Sequence, residues 1–343
     1  MTGEAEPATG RVGVWRGLAG VSVLAIASWI AATWASGLGR LAPDAVVIAL
    51  VVGLLIRSAW HPPASWAPGM AIAGRQVLEV AIILLGASTD LRVMVRAGPW
   101  LAASVVAVTA FALGTGWLAA RRAGLGRTHA LLVTSGNAIC GNSAIAAVAT
   151  VVRAPAGEVA SSVAYTAILS IGLVLVLPLA GTLAGLSDLQ YGALAGMTVY
   201  AVPQVLAATY PVSAAAGEVG TLVKLMRVLL LMPWLALLSV LERRRGGSAA
   251  GGGHVLARIL PPYLLAFILL ALGRTAGAVP DAVVPWARTA SHALTTVAMA
   301  ALGLAVEPAA VRSVGRPVVL AATTALVLLV LAALLVATRL GAA

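Results

Sequence analysis

Charge is scarce in this chain. Only 10% of its 343 residues are Asp, Glu, Lys or Arg, where a soluble domain carries about 25%. So few charges cannot cover the surface of a compact soluble protein of this length. Disorder is excluded for the opposite reason, because it needs low hydrophobicity and high charge. Cysteine is nearly absent: Cys140 stands alone, so no internal disulfide and no cysteine-based zinc cluster can form. The four histidines, His61, His129, His254 and His292, lie in four separate segments without ligand spacing on one helix, so no metal site is expected. No cofactor motif is present either.

What fills the chain is apolar. The AVILMFWYC set makes up 61% of the residues, and the mean hydropathy is +1.02. A bilayer core takes about 20 apolar residues per spanning helix. Eleven candidates run roughly over 17–36, 42–56, 74–89, 99–120, 128–152, 159–183, 189–210, 218–241, 259–273, 287–305 and 317–338. Tryptophans such as Trp15, Trp34, Trp100 and Trp117 stand near segment ends, as an interfacial belt requires. The reading is an all-α polytopic membrane protein with about 10–11 transmembrane helices, inverted repeats and two interrupted helices. Residues 1–16 read as a cytoplasmic tail and 17–343 as a transmembrane transporter domain. Within it, 17–245 and 254–343 are joined by a glycine-rich linker, 246–253. The first segment is too long for a signal core, so it is expected to stay on the protein.

The net charge of +11 does not point to nucleic acid, because the basic residues sit singly or in twos and threes between apolar runs. They read as topology determinants. If all eleven segments cross, the N-terminal side collects thirteen arginines and the other side seven. The N-terminus is therefore expected in the cytoplasm of a cell bounded by this inner membrane. An internal repeat supports a transporter. Gly86, Asp90 and Gly98 recur as Gly303, Glu307 and Gly315 with identical spacing, and Arg57 recurs as Arg274. Segments 2–4 thus resemble segments 9–11, and the odd separation implies inverted topology.

Three features carry candidate chemistry. In Ser135–Ile145, Gly136 and Gly141 relieve the steric bar to non-helical backbone, and Asn142 and Ser143 favour a new helix start. Two half-helices are expected to meet near 137–142. The second would aim free amides, with Asn137, Asn142 and Ser143, at an anion. Pro203 predicts a second break, with Tyr200 and Gln204 as its polar groups. Lys224 and Arg227, three residues apart, share a helix face at membrane depth. The expected substrate-binding set is Asn137, Gly141, Asn142, Ser143, Tyr200, Gln204, Lys224 and Arg227. Glu79 and His292, one turn after Arg75 and Arg288, are candidate coupling groups or intrahelical partners.

The run Gly136-Asn137-Ala138-Ile139-Cys140-Gly141-Asn142-Ser143-Ala144-Ile145-Ala146-Ala147 resembles the signature of the YeiH-like family of bacterial inner-membrane proteins, a family labelled as sulfate exporters. Leu84–Ser88, Gly220–Val228 and Met299–Leu304 are similar to that family's other motifs, and the resemblance covers roughly residues 40–320. It departs at Tyr200-Ala201, where many members carry a His-Glu pair. The resemblance implies an anion carrier, with a small oxyanion as substrate and the bilayer as its surroundings. A homodimer is left open. A cation-coupled importer, a membrane-embedded enzyme and a channel remain alternatives.

Overall fold

The computed structural model describes residues 7–35, 44–92, 98–244, 262–305 and 315–340. The expected linker 246–253 and Glu307 lie outside them. All the regular structure among the described residues is helical. In chain order the helices are α1 (Pro7–Ala35) and α2 (Ala45–Ala59), α3 (Ala64–Ser88), α4 (Gly98–Arg122) and α5 (Arg127–Ser135). They continue as α6 (Asn142–Val152), α7 (Ala156–Leu183), α8 (Asp188–Thr198) and α9 (Val202–Thr209). The last are α10 (Ala214–Leu229), α11 (Leu231–Arg244), α12 (Pro262–Thr275), α13 (Val283–Ala305) and α14 (Arg316–Ala337). Each of the eleven apolar segments falls on helix. Six spans are long and apolar enough to cross a bilayer by length and composition, and the chain is an all-α polytopic membrane protein. Helix α1 already begins at Pro7, ten residues ahead of the boundary drawn at residue 17, because Val12, Val14 and Trp15 extend its apolar surface.

The chain folds into two compact units. The first holds α1–α3, most of α12, and α13, with α13 packed along α2 and α3. Glycines let these backbones touch. A Cβ on Gly86 of α3 would collide with the carbonyl of Phe267 on α12, and a Cβ on Gly303 of α13 would collide with the carbonyl of Leu50 on α2. The two contacts are reciprocal, because Gly303 and Phe267 repeat Gly86 and Leu50 at the same offset. The glycines of the sequence repeat thus serve as contact points in the packed helices. Small residues do this work in lipid, where no hydrophobic force holds helices together and close backbone approach supplies the dispersion energy.

The second unit holds α4–α11 and α14. Here α8 packs on α10, α14 lies along α4, and α5 and α6 are flanked by α7. Its core includes Leu132, Ile139, Ile145, Met197, Val205 and Val223, all buried. Helix starts carry side-chain caps. The Ser187 hydroxyl accepts from the Gln190 amide (3.3 Å) while the Gln190 side chain accepts from the Ser187 amide (3.1 Å), and Ser213 caps α10 through the Ala216 amide (3.0 Å). Hydroxyls inside helices bond back to carbonyls one turn earlier, as Thr198 does to Leu194 (2.7 Å).

Candidate functional site

The first interruption starts as a widened turn. After α5, Gly136–Cys140 form one π-helical turn, and the Gly141 amide reaches back five residues to the Gly136 carbonyl (2.9 Å). Gly141 then takes φ +63° and ψ −126°, a conformation that side-chain-bearing residues rarely adopt. The next residue, Asn142, opens α6. The expected meeting of two half-helices near 137–142 is therefore present, with its hinge at Gly141.

The second interruption lies beside it. Helix α8 ends at Thr198, Val199 and Ala201 are extended, and α9 starts at Val202 with Pro203 in its first turn, where the missing amide costs nothing. The two breaks touch: a Cβ on Gly141 would lie 3.2 Å from Cβ of Tyr200. The Tyr200 hydroxyl donates to Asn137 Oδ1 (3.0 Å), and Asn137 Nδ2 donates to the Ala322 carbonyl on α14 (2.9 Å). Both residues are 2% exposed. They brace the crossing.

Lys224 and Arg227 project from α10 into the same crossing, fully buried. All five N–H groups of Arg227 meet backbone carbonyls. Nε bonds Ala138 (3.2 Å), Nη2 bonds Ala138 (2.7 Å) and Asn137 (3.3 Å), and Nη1 bonds Gly196 (3.0 Å) and Val199 (3.3 Å). Lys224 Nζ donates to the Ile139 carbonyl. Each interrupted helix ends in unpaired carbonyls worth about half a negative charge. One planar guanidinium caps both ends at once, and the ammonium adds a further positive charge. Neither cation has a carboxylate partner among the described residues. Both were read from sequence as donors to a substrate; the structure directs the five N–H groups of Arg227 and one N–H of Lys224 to the chain itself.

The opposite ends of the broken helices are different. Asn142 and Ser143 are exposed at the start of α6, and no side chain caps that helix. The first amides of a helix have no intrahelical acceptor. The Ser143 hydroxyl has no partner among the described residues, and Asn142 uses only its Oδ1, which accepts from Thr166 Oγ1 (2.9 Å). At the start of α9, Gln204 Oε1 accepts from the Ala201 amide (3.2 Å) and Nε2 donates to Ser170 Oγ (2.9 Å). Thr166 and Ser170, one turn apart on α7, thus hold the starts of α6 and α9 respectively. Sequence reading passed over them, although Ser162, Thr166 and Ser170 form a hydroxyl stripe at four-residue spacing in an apolar helix.

Of the coupling candidates, Glu79 pairs with Arg75 on its own helix (3.3 Å), a largely exposed contact. His292 instead faces Asp44, with Nε2 3.1 Å from each carboxylate oxygen, and the Trp29 ring meets the imidazole edge-on at 5.1 Å. Asp44 also caps α2 through the Val46 amide (2.8 Å). That partner is 248 residues away in sequence, so spacing could not reveal it.

A family model described as "Conserved hypothetical protein 698" matches residues 16–322. A UPF0324 membrane protein of Bradyrhizobium diazoefficiens is 44% identical over 286 residues, covering 83% of this chain and 81% of the relative. One from Agrobacterium fabrum is 41% identical over 284 residues, covering 83% and 81%. The UPF0324 membrane protein TauZ of Paracoccus pantotrophus is 32% identical over 284 residues, covering 82% and 83%. No solved structure matches the chain significantly. With matches of this extent and a bundle of membrane-length apolar helices, the chain belongs to the UPF0324 family of multi-pass membrane proteins, the YeiH-like family that its glycine–asparagine run resembles.

Proposed function

We propose that this protein is a secondary transporter that moves a small oxyanion, sulfate or an organic sulfonate or carboxylate, out of the cell across the inner membrane. The observation that carries this reading is the asymmetry of the two breaks. Their carbonyl ends are covered by Arg227 and Lys224, while the amide end of α6 is left open with Asn142 and Ser143 exposed. An anion gives up its water only where donors replace it. The open end offers helix amides, the Asn142 amide group and the Ser143 hydroxyl, beside the buried Arg227 guanidinium and with no acid bonded there. In this reading Asn142, Ser143 and Gly141 touch the substrate. Asn137, Tyr200, Gln204, Lys224 and Arg227 hold the helix ends that shape the site.

Energetics favour outward movement. Each charge leaving a negative interior gains about 2.3 kcal/mol per 100 mV, and a dianion about 4.6 kcal/mol. Export needs no coupling ion, and the N-terminus lies in the cytoplasm in this scheme. His129 bonds Ser161 (3.0 Å) and not Ser143. The test is saturable counterflow of radiolabelled sulfate in proteoliposomes under an imposed potential. Flux that saturates and falls in Asn142→Ala supports the reading. Absence of flux for sulfate, sulfonates and carboxylates alike overturns it, and strict dependence on sodium or protons moves it to a coupled importer.

A further inference from the structure

We propose that the second unit carries a binding site for one anionic phospholipid, in a groove between α4, α5 and α11. The groove encloses about 500 Å³ and is walled by Leu113, Gly114, Trp117, Leu131, Trp234 and Leu241. Two contacts fix its walls. Trp234 Nε1 donates to Ser135 Oγ (2.9 Å), and Arg127 pairs with Glu242. The helix ends at that ion pair carry five arginines. Arg121 and Arg122 end α4, Arg127 begins α5 after a short turn, and Arg243 and Arg244 follow Glu242 at the end of α11. Arg121 lies over the Trp117 ring (5.9 Å) and donates to the Leu125 carbonyl (2.7 Å), which draws the α4–α5 turn to the groove. Arg122, Arg243 and Arg244 are exposed.

An apolar channel at bilayer depth with a surplus of guanidinium groups at one end matches a molecule with a hydrocarbon tail and an anionic head. Phosphate is bound by several guanidinium groups in the geometry they favour, and basic pockets between membrane helices select acidic head groups. A zwitterionic lipid brings the same tail but cancels its phosphate charge with an ammonium. The charge excess therefore favours phosphatidylglycerol over phosphatidylcholine. Gly114 supplies a clean probe, because a Cβ built there meets nothing within 4 Å. A side chain at that position, which lines the groove, starts into open space.

The test is native mass spectrometry of the purified full chain incubated with equal amounts of phosphatidylglycerol and phosphatidylcholine. Retained adducts are expected to favour phosphatidylglycerol. The triple variant Arg122→Gln, Arg243→Gln, Arg244→Gln should lower that preference by about fivefold or more. Gly114→Phe and the smaller Gly114→Leu should reduce retention of both lipids while the helical circular-dichroism signal stays as in the parent; if the larger variant does not fold, the smaller one is read. Equal retention of the two lipids by the parent protein overturns the proposal, as does undiminished retention in a folded Gly114 variant. The readout is independent of transport.

Discussion

Gly141 lies against Tyr200, so the two interrupted helices break at one place and not at two. Replacing Gly141 by Ala forces a side chain into a backbone conformation it disfavours and to 3.2 Å from Tyr200 Cβ. Strain of this kind costs about 1–3 kcal/mol. Gly141→Ala should lower the apparent melting temperature in detergent by several degrees and abolish anion flux. Unaltered melting would show that the hinge is not at Gly141.

Arg227 serves both breaks with five hydrogen bonds, whereas Lys224 serves one carbonyl. Removing the guanidinium leaves several buried acceptors unpaired, each costing about 1–3 kcal/mol. The expected order of destabilisation is Arg227→Met above Arg227→Lys above Lys224→Met, measured by thermal unfolding. A lysine keeps the charge but loses the planar fork that reaches both helix ends. Equal melting of Arg227→Lys and the parent would contradict the capping role.

The breaks themselves were legible from sequence. Gly136, Gly141 and Pro203 are residues whose backbone chemistry interrupts a helix wherever they stand. The partner of a long polar side chain is different. The three-residue spacing places Lys224 and Arg227 on one face of α10 but says nothing about what crosses that face, and the carbonyls they cap come from about 30 to 90 residues earlier. Gly86 and Gly303 were readable as a repeat, yet only the packed helices show that each glycine meets the other repeat's partner. Thr166 and Ser170 were visible as a stripe, but in membrane helices hydroxyls usually satisfy their own backbone, so the stripe carried no sign of its partners.

Those two hydroxyls make a graded prediction. Thr166→Val and Ser170→Ala each remove one bond to a helix start, to Asn142 and Gln204 respectively, with a stability cost of about 1 kcal/mol. Their main effect should appear as a raised KM for sulfate, because Asn142 and Gln204 lose their anchors. Thr166→Ser should restore the parent value. A KM unchanged in both Thr166→Val and Ser170→Ala would separate α7 from the site.

Asp44 does two jobs in the first unit, capping α2 and facing His292. Asp44→Asn keeps a good cap and should cost less than Asp44→Ala, which loses about 1 kcal/mol from the cap alone. A double-mutant cycle of Asp44→Asn with His292→Phe reads the pair itself. A coupling energy of zero would mean that the imidazole and carboxylate sit together without stabilising the unit.

The most direct measurement is anomalous scattering from selenate, a sulfate analogue, in crystals of the protein. The account predicts a selenium peak at the open end of α6, with oxygens about 2.7–3.2 Å from the amide nitrogens of Asn142 and Ser143. A peak lodged instead against the Arg227 guanidinium, or no peak at α6 in a preparation that transports selenate, would contradict it.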